Sequence, residues 1–208
     1  KFKFDVGISK NYTLDIIRLG FPMAFQRILF TLVNIVLAKI IAMFGAEAIA
    51  AQKIGLQIES IIFMVIGGVN GAIASFVGQN YGAKKYKRII EGYNSSLKIG
   101  ILYSLVAALL FVSIPNILVK VFVRDEITVL IASDYLKVIA LSEIFSAIEM
   151  ISNGLFTGIG KPKISATISI IFTILRIPMA LILIKVIGLN GIWLSIALSS
   201  IFKGIAAY

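Results

Sequence analysis

The stretch GGVNGAIASFVGQNYGAKKYKR, Gly67 to Arg88, decides how the rest of the chain is read. An apolar run thick with small residues leads to Gly78, passes through Gln79-Asn80-Tyr81-Gly82, and breaks into Lys84, Lys85, Lys87 and Arg88. An apolar helix that ends in clustered cations reads as a membrane span surfacing on the positively charged side of the bilayer.

The composition extends that reading to the whole chain. Hydrophobic residues make up 59% and charged residues only 14%, and the mean hydropathy is +1.00. A soluble domain carries roughly 25% charged residues. Apolar segments of about 20 residues, the length a bilayer asks of a helix, recur from end to end. The expected fold is an all-α integral membrane bundle. The net charge of +10 raises nucleic-acid binding, but the cations sit at the ends of apolar segments and not among aromatics on a soluble face, which argues against it. The chain has no cysteine and no histidine, so thiolate chemistry, disulfides, Cys/His metal sites and a histidine switch are excluded within it. It opens on Lys1 and closes on Tyr208 inside an apolar run, which reads as a piece of a longer protein.

Working outward from Gly67–Arg88, six spans are expected at about 15–44, 47–77, 89–112, 128–157, 163–187 and 190–208. Gly45-Ala46 turns between the first two, and residues 116 to 127 read as a short interfacial helix after Pro115. Alternation places Lys1, Lys3, Lys10, Arg18, Lys84, Lys85, Lys87, Arg88, Lys161 and Lys163 on one side, and Lys120, Arg124 and Lys185 on the other. Deeper residues narrow the margin: Lys98 and Lys203 join the first side, and Lys39, Lys53 and Lys137 the second, with Arg27 and Arg176 mid-span. The bias predicts a plasma-membrane protein whose N-terminus and loop 78–88 are cytoplasmic.

Polar residues inside the spans mark the candidate site. Ser142, Ser146, Glu149, Asn153 and Thr157 recur at helical spacing and form one stripe on span four, with Glu143 on its flank. A carboxylate at mid-membrane costs on the order of 3 kcal/mol and must face protein or water. Glu149 then either lines a polar cavity, binding a proton, a cation such as Na+ or a cationic substrate, or pairs with a neighbouring helix. Glu143, nearer the outer end, reads first as such a structural pair. On span two, Gln52, Glu59 and Asn70 share a face. Glu59 is a further ion-binding candidate, with an interfacial cluster alongside Lys53 and Gln57 as the alternative, and Asn70 among Gly67, Gly68 and Gly71 reads as helix packing. Asn34 in span one has no route to either surface, so it faces the cavity or another helix. Arg176, before Pro178 in span five, needs a partner or water, and Glu149 is the candidate partner. No cofactor site, phosphate loop, metal spacing or nucleophile–base grouping is present; Gly158-Ile159-Gly160-Lys161-Pro162 is a turn between spans, without the strand a phosphate loop requires. No enzyme activity is expected.

These residues resemble the C-terminal six-helix half of the multidrug and toxic compound extrusion transporters. The resemblance rests on Gly20-Phe21-Pro22, on FGAEAIAA (Phe44 to Ala51), IGLQIES (Ile54 to Ser60) and FVGQNYGA (Phe76 to Ala83), and then on TGIGKPK (Thr157 to Lys163), LRIPMA (Leu175 to Ala180) and GLNGIWLSIA (Gly188 to Ala197). It implies one lobe of a twelve-helix transporter with pseudo-two-fold symmetry, whose partner is the N-terminal lobe of the same chain. It also implies export of small organic cations or amphipathic compounds in exchange for H+ or Na+. Sodium-linked relatives with acidic residues in this half carry them at positions matching Phe30 and Ser146, and neither is acidic here. Glu149, on the same stripe as Ser146, is the expected substitute, with the N-terminal lobe as the other place for the coupling acid. Gly78, Gln79, Asn80 and Gly82 are expected to shape the cytoplasmic turn. The competing readings are a lipid-linked oligosaccharide flippase of the same superfamily, for which more cavity cations than Arg27 and Arg176 are expected, and a non-transporting membrane assembly subunit.

Overall fold

The computed structural model describes residues 10–208; Lys1, Lys3 and the N-terminus, on which part of the orientation argument rests, lie outside the described residues. The described chain is all helix: α1 (Lys10–Ile41), a 3-10 turn (Ala42–Phe44), α2 (Ala46–Gly82), α3 (Tyr86–Ser113), α4 (Pro115–Lys120), α5 (Glu126–Ala140), α6 (Glu143–Gly158), α7 (Pro162–Ile187) and α8 (Leu189–Ala207). Among the described residues, α2, α3, α7, α8 and the segment Ile16–Phe44 are long and apolar enough to cross a membrane.

The starts and stops follow local chemistry. Gly45, at φ 106°, separates the 3-10 turn from α2. Pro115 and Pro162 open α4 and α7 at the first turn, where a missing N–H costs nothing. Asp125 caps α5 by accepting from the Thr128 amide at 2.8 Å. Thr128 hydrogen bonds hold the Asp125 carboxyl below its ordinary range.

Two ends depart from the sequence reading. The phrase Gly78-Gln79-Asn80-Tyr81-Gly82 is not a turn: α2 continues through it to Gly82. Inside the helix, Asn80 Nδ2 donates to the Phe76 carbonyl at 2.8 Å. The stop comes one step later, where the Lys84 amide reaches the Tyr81 carbonyl (3.0 Å) and the Lys85 amide the Asn80 carbonyl (2.8 Å), with Lys84 left-handed at φ 58°. This is a Schellman closure with a lysine where glycine usually stands. The same closure ends α6, from Gly160 to Thr157 and Lys161 to Phe156, here with Gly160 at φ 74°. At 37 residues, α2 is about 55 Å long, well beyond the roughly 30 Å of hydrocarbon, so it tilts or projects.

The segment read as one span, 128–157, is built from two helices, α5 and α6, broken at Leu141 and Ser142. No proline or glycine causes the break. Ser142 donates both its amide (2.8 Å) and its Oγ (2.9 Å) to the Ile139 carbonyl. Such side-chain back-bonding competes with the regular ladder and bends helices.

α6 is the hub, packed on α2, α3 and α8 with α7 beside it, while α5 rests on α2, α3, α4 and α8. α1 joins the bundle chiefly through α7, and touches its own neighbour α2 only slightly. Large apolar side chains such as Met64, Leu102, Leu109 and Ile182 point outward, and the interior holds Ser104, Ser165, Ser169, Ser195 and Ser199 beside Leu37, Ile66 and Trp193. That distribution suits a lipid surround, where helices associate by close packing and side-chain hydrogen bonds, without a hydrophobic drive.

Candidate functional site

The residues of the span-four stripe have different surroundings. Ser142 is spent on the Ile139 carbonyl at the helix break. Ser146 is buried, Glu149 and Asn153 are half-buried, and Thr157 is exposed. Glu149 Oε1 accepts a 2.5 Å hydrogen bond from Ser169 Oγ of α7. The carboxylate is thus held in position by a neutral hydroxyl, with no ion pair among the described residues.

Arg176 does not pair with Glu149. Its Nε donates to Ser199 Oγ at 2.9 Å and its Nη2 to Ser200 Oγ at 3.2 Å, both on α8, and Ser199 passes its own proton to the Phe172 carbonyl at 2.9 Å. The reason is helix adjacency: α7 and α8 lie side by side, which brings the two serines up to the guanidinium. Glu149 nonetheless supplies the strongest opposing charge felt by Arg176.

Sequence reasoning counted Lys203 only as a deep topological charge. The structure buries it at 4% exposure and sets its Nζ 5.9 Å from the centroid of the Phe30 ring. Arg176 lies over the same ring at 5.6 Å. Phe30 therefore meets two buried cations, at a position where the family resemblance implies an acid in some relatives. Glu149 is also the main opposing charge for Lys203. A usable signal was present: Lys203 follows Ser199 and Ser200 on one helical face. Cations over an aromatic face are attracted by the ring's quadrupole, so Phe30 partly substitutes for a counter-charge. Two sets of contacts result: Glu149 with Ser169, and Phe30 with Arg176, Lys203 and the α8 serines.

The other predicted residues lie apart. Asn34 is half-buried on α1, and its side chain makes no hydrogen bond among the described residues. Glu59 is buried at 6% exposure, but not in a cluster with Lys53 and Gln57, which are both exposed. Its partner is Tyr135, whose hydroxyl donates to Glu59 Oε1. Glu143 is not the structural pair the sequence suggests: it is fully buried and neither oxygen has a hydrogen-bond partner. Asn70 lies at a close helix approach, where a Cβ on Gly154 would meet the Asn70 carbonyl oxygen at 2.7 Å. Among the described residues the one ion pair is Lys137–Asp134 at 3.4 Å, on the exposed face of α5.

Comparisons with known proteins agree with this architecture. The MatE family model matches residues 22–182. A probable multidrug resistance protein NorM from Thermotoga maritima is 29% identical over 193 residues, spanning 91% of this chain and 41% of the relative. The outward-facing conformation of a multidrug resistance MATE family transporter of the MOP superfamily superposes with a TM-score of 0.87 at 19% identity, over 98% of this chain and 47% of that one. An inward-facing conformation of such a transporter gives 0.81 at 21% identity, over 98% and 48%. The chain thus spans less than half the length of the relatives it matches.

Proposed function

The chain belongs to the MatE family, and from that premise we propose that it forms one lobe of a secondary antiporter that exports cationic or amphipathic toxic compounds in exchange for H+ or Na+. Its partner is a second lobe of the same protein, and alternating access is the motion by which the two work together. The observation that carries the proposal is Glu149: a half-buried carboxylate inside an apolar bundle, positioned by Ser169 and left without an ion pair. An unpaired acid inside a membrane bundle marks an ion or substrate path. The likeness of this one lobe to both outward-facing and inward-facing structures supports a lobe that moves as a unit.

The test is efflux of a fluorescent organic cation from vesicles carrying the full-length protein under imposed H+ and Na+ gradients. Glu149→Gln keeps the Ser169 contact but removes the charge, and lowers efflux by about tenfold, the effect of one lost charge contact of about 1.4 kcal/mol. Efflux unchanged by the substitution removes Glu149 from the role. Dye retention indifferent to both gradients sinks the antiporter.

We also propose that the Lys84–Arg88 turn faces the cytoplasm of a cell whose plasma membrane the lobe crosses. These 208 residues hold no cysteine, so Lys85→Cys introduces a single reporter into the lobe. A membrane-impermeant maleimide should leave it unlabelled in intact cells and label it after permeabilisation. Labelling from outside would invert the topology.

A further inference from the structure

Besides Glu149, the bundle encloses a second polar group. Glu59 from α2, Tyr135 from α5, Glu143 from α6 and Trp193 from α8 are all buried, the last three completely. Gly55, one turn before Glu59, lets the Tyr135 ring pack close against α2; a Cβ there would collide with the ring. The ring edge packs on Trp193 with centroids 4.9 Å apart at 87°. The Tyr135 hydroxyl spends its one proton on Glu59 Oε1. Both oxygens of Glu143, and Nε1 of Trp193, have no hydrogen-bond partner among the described residues. Ser142, the hydroxyl next to Glu143 in sequence, is committed to the Ile139 carbonyl.

The charges around the two acids do not neutralise them. The titratable groups acting on them are each other, Tyr135 from α5, and Arg176 from α7. Arg176 forms no ion pair with either and gives its donors to Ser199 and Ser200. A fully buried carboxylate with no donor and no counter-ion is not a stable species, and two carboxyls in mutual reach do not both ionise. The ligand that fits is the smallest one, because Glu143, Tyr135 and Trp193 are completely buried. We propose that Glu143 and Glu59, with Tyr135, form a proton-binding site inside the lobe that takes up and releases a proton. As the entry point for an exchanged H+, the site rests on the antiporter reading; as a proton site, it stands without it.

The experiment is infrared spectroscopy of the full-length protein in lipid bilayers, stepped through pH. A carbonyl band of a buried protonated carboxylic acid should be present at neutral pH and disappear as the pH is raised. It should be lost in Glu143→Gln, and the pH at which it disappears should shift in Tyr135→Phe, which removes the hydroxyl bonded to Glu59; each variant is checked by thermal unfolding for a native fold. If Glu143→Gln does not fold, Glu59→Gln and Tyr135→Phe carry the assignment. The proposal is overturned by the absence of the band from the wild-type protein at neutral pH. It is equally overturned by a band that all three substitutions leave intact, or by one that persists over the whole pH range in which the protein stays folded, since that acid would be permanently protonated and structural. Because the band is read without any substrate, gradient-insensitive dye efflux would remove the antiporter while leaving the proton site, and a missing band would do the reverse.

Discussion

Valine at both Gly154 and Gly158 is expected to unfold the lobe. The two glycines sit one turn apart on α6 and face one ridge of α2. A Cβ at Gly154 would lie 2.7 Å from the Asn70 carbonyl oxygen, and one at Gly158 would lie 2.7 Å from the Ala74 carbonyl oxygen and 2.6 Å from Val77 Cβ. Backbone oxygens cannot turn aside, so the two helices must separate. Each overpacked site costs on the order of 3 kcal/mol, and two on one interface consume a large part of the roughly 5–15 kcal/mol that holds a typical domain. The readout is thermal unfolding of the full-length protein in detergent, where the double variant should show no cooperative transition at the wild-type temperature. Gly100→Ala is the control: its Cβ meets chiefly the terminal methyl of Ile151, which can rotate away, so that variant should melt close to wild type. A double valine variant with native stability would show that α2 and α6 are not in backbone contact.

Trp193→Ala should be the most damaging single truncation in the core. The indole is completely buried and braces Tyr135 edge-on. Removing a large aromatic from a core costs about 3–5 kcal/mol in water-soluble proteins. In a bilayer the solvent is itself apolar, so the cavity term dominates and the lower end, about 3 kcal/mol, is expected. Trp193→Phe separates shape from polarity. It keeps a ring against Tyr135 and removes an indole N–H that has no acceptor among the described residues, so its cost should be small. The same melting measurement reads both; equal losses for Ala and Phe would place the contribution in the N–H, not in packing.

Much of this arrangement is legible in the residues because it depends on local rules. The apolar spans, the proline-opened helices and the glycine-bearing turns at Gly45 and Gly160 follow from composition and spacing. The break between α5 and α6 does not. The run from Thr128 to Thr157 contains no proline, and its one glycine, Gly154, lies far from the break; the interruption depends on which carbonyl the Ser142 hydroxyl selects. The stop of α2 differs for a related reason: Gly78 and Gly82 suggest a turn after residue 77, but the helix runs to Gly82 and Lys84 takes the left-handed position. The site was half visible. The stripe pointed to Glu149, yet its partner Ser169, and the pairing of Arg176 with Ser199 and Ser200 in place of Glu149, depend on how α6, α7 and α8 rotate against one another. Tyr135 and Glu59 are 76 residues apart, and no periodicity joins them. Lys203 went unread as a site residue because a single lysine in an apolar run looks like any other deep charge until Phe30 is placed beside it.

The attachment of α1 through α7 fixes an order of assembly. Within this lobe α1 is made before the helix that holds it, α7, which follows α2, α3, α4, α5 and α6. Through that interval α1 has, inside the lobe, only a slight contact with α2. Its outward Ile16, Ile17, Phe21, Met23, Phe25 and Ile28 suit that wait, since the bilayer satisfies them as well as protein would. Closure of the lobe is therefore a late, long-range event, of the kind that folds slowly. A ribosome stalled before α7 would leave Phe30 in the membrane before either of its cations had been made.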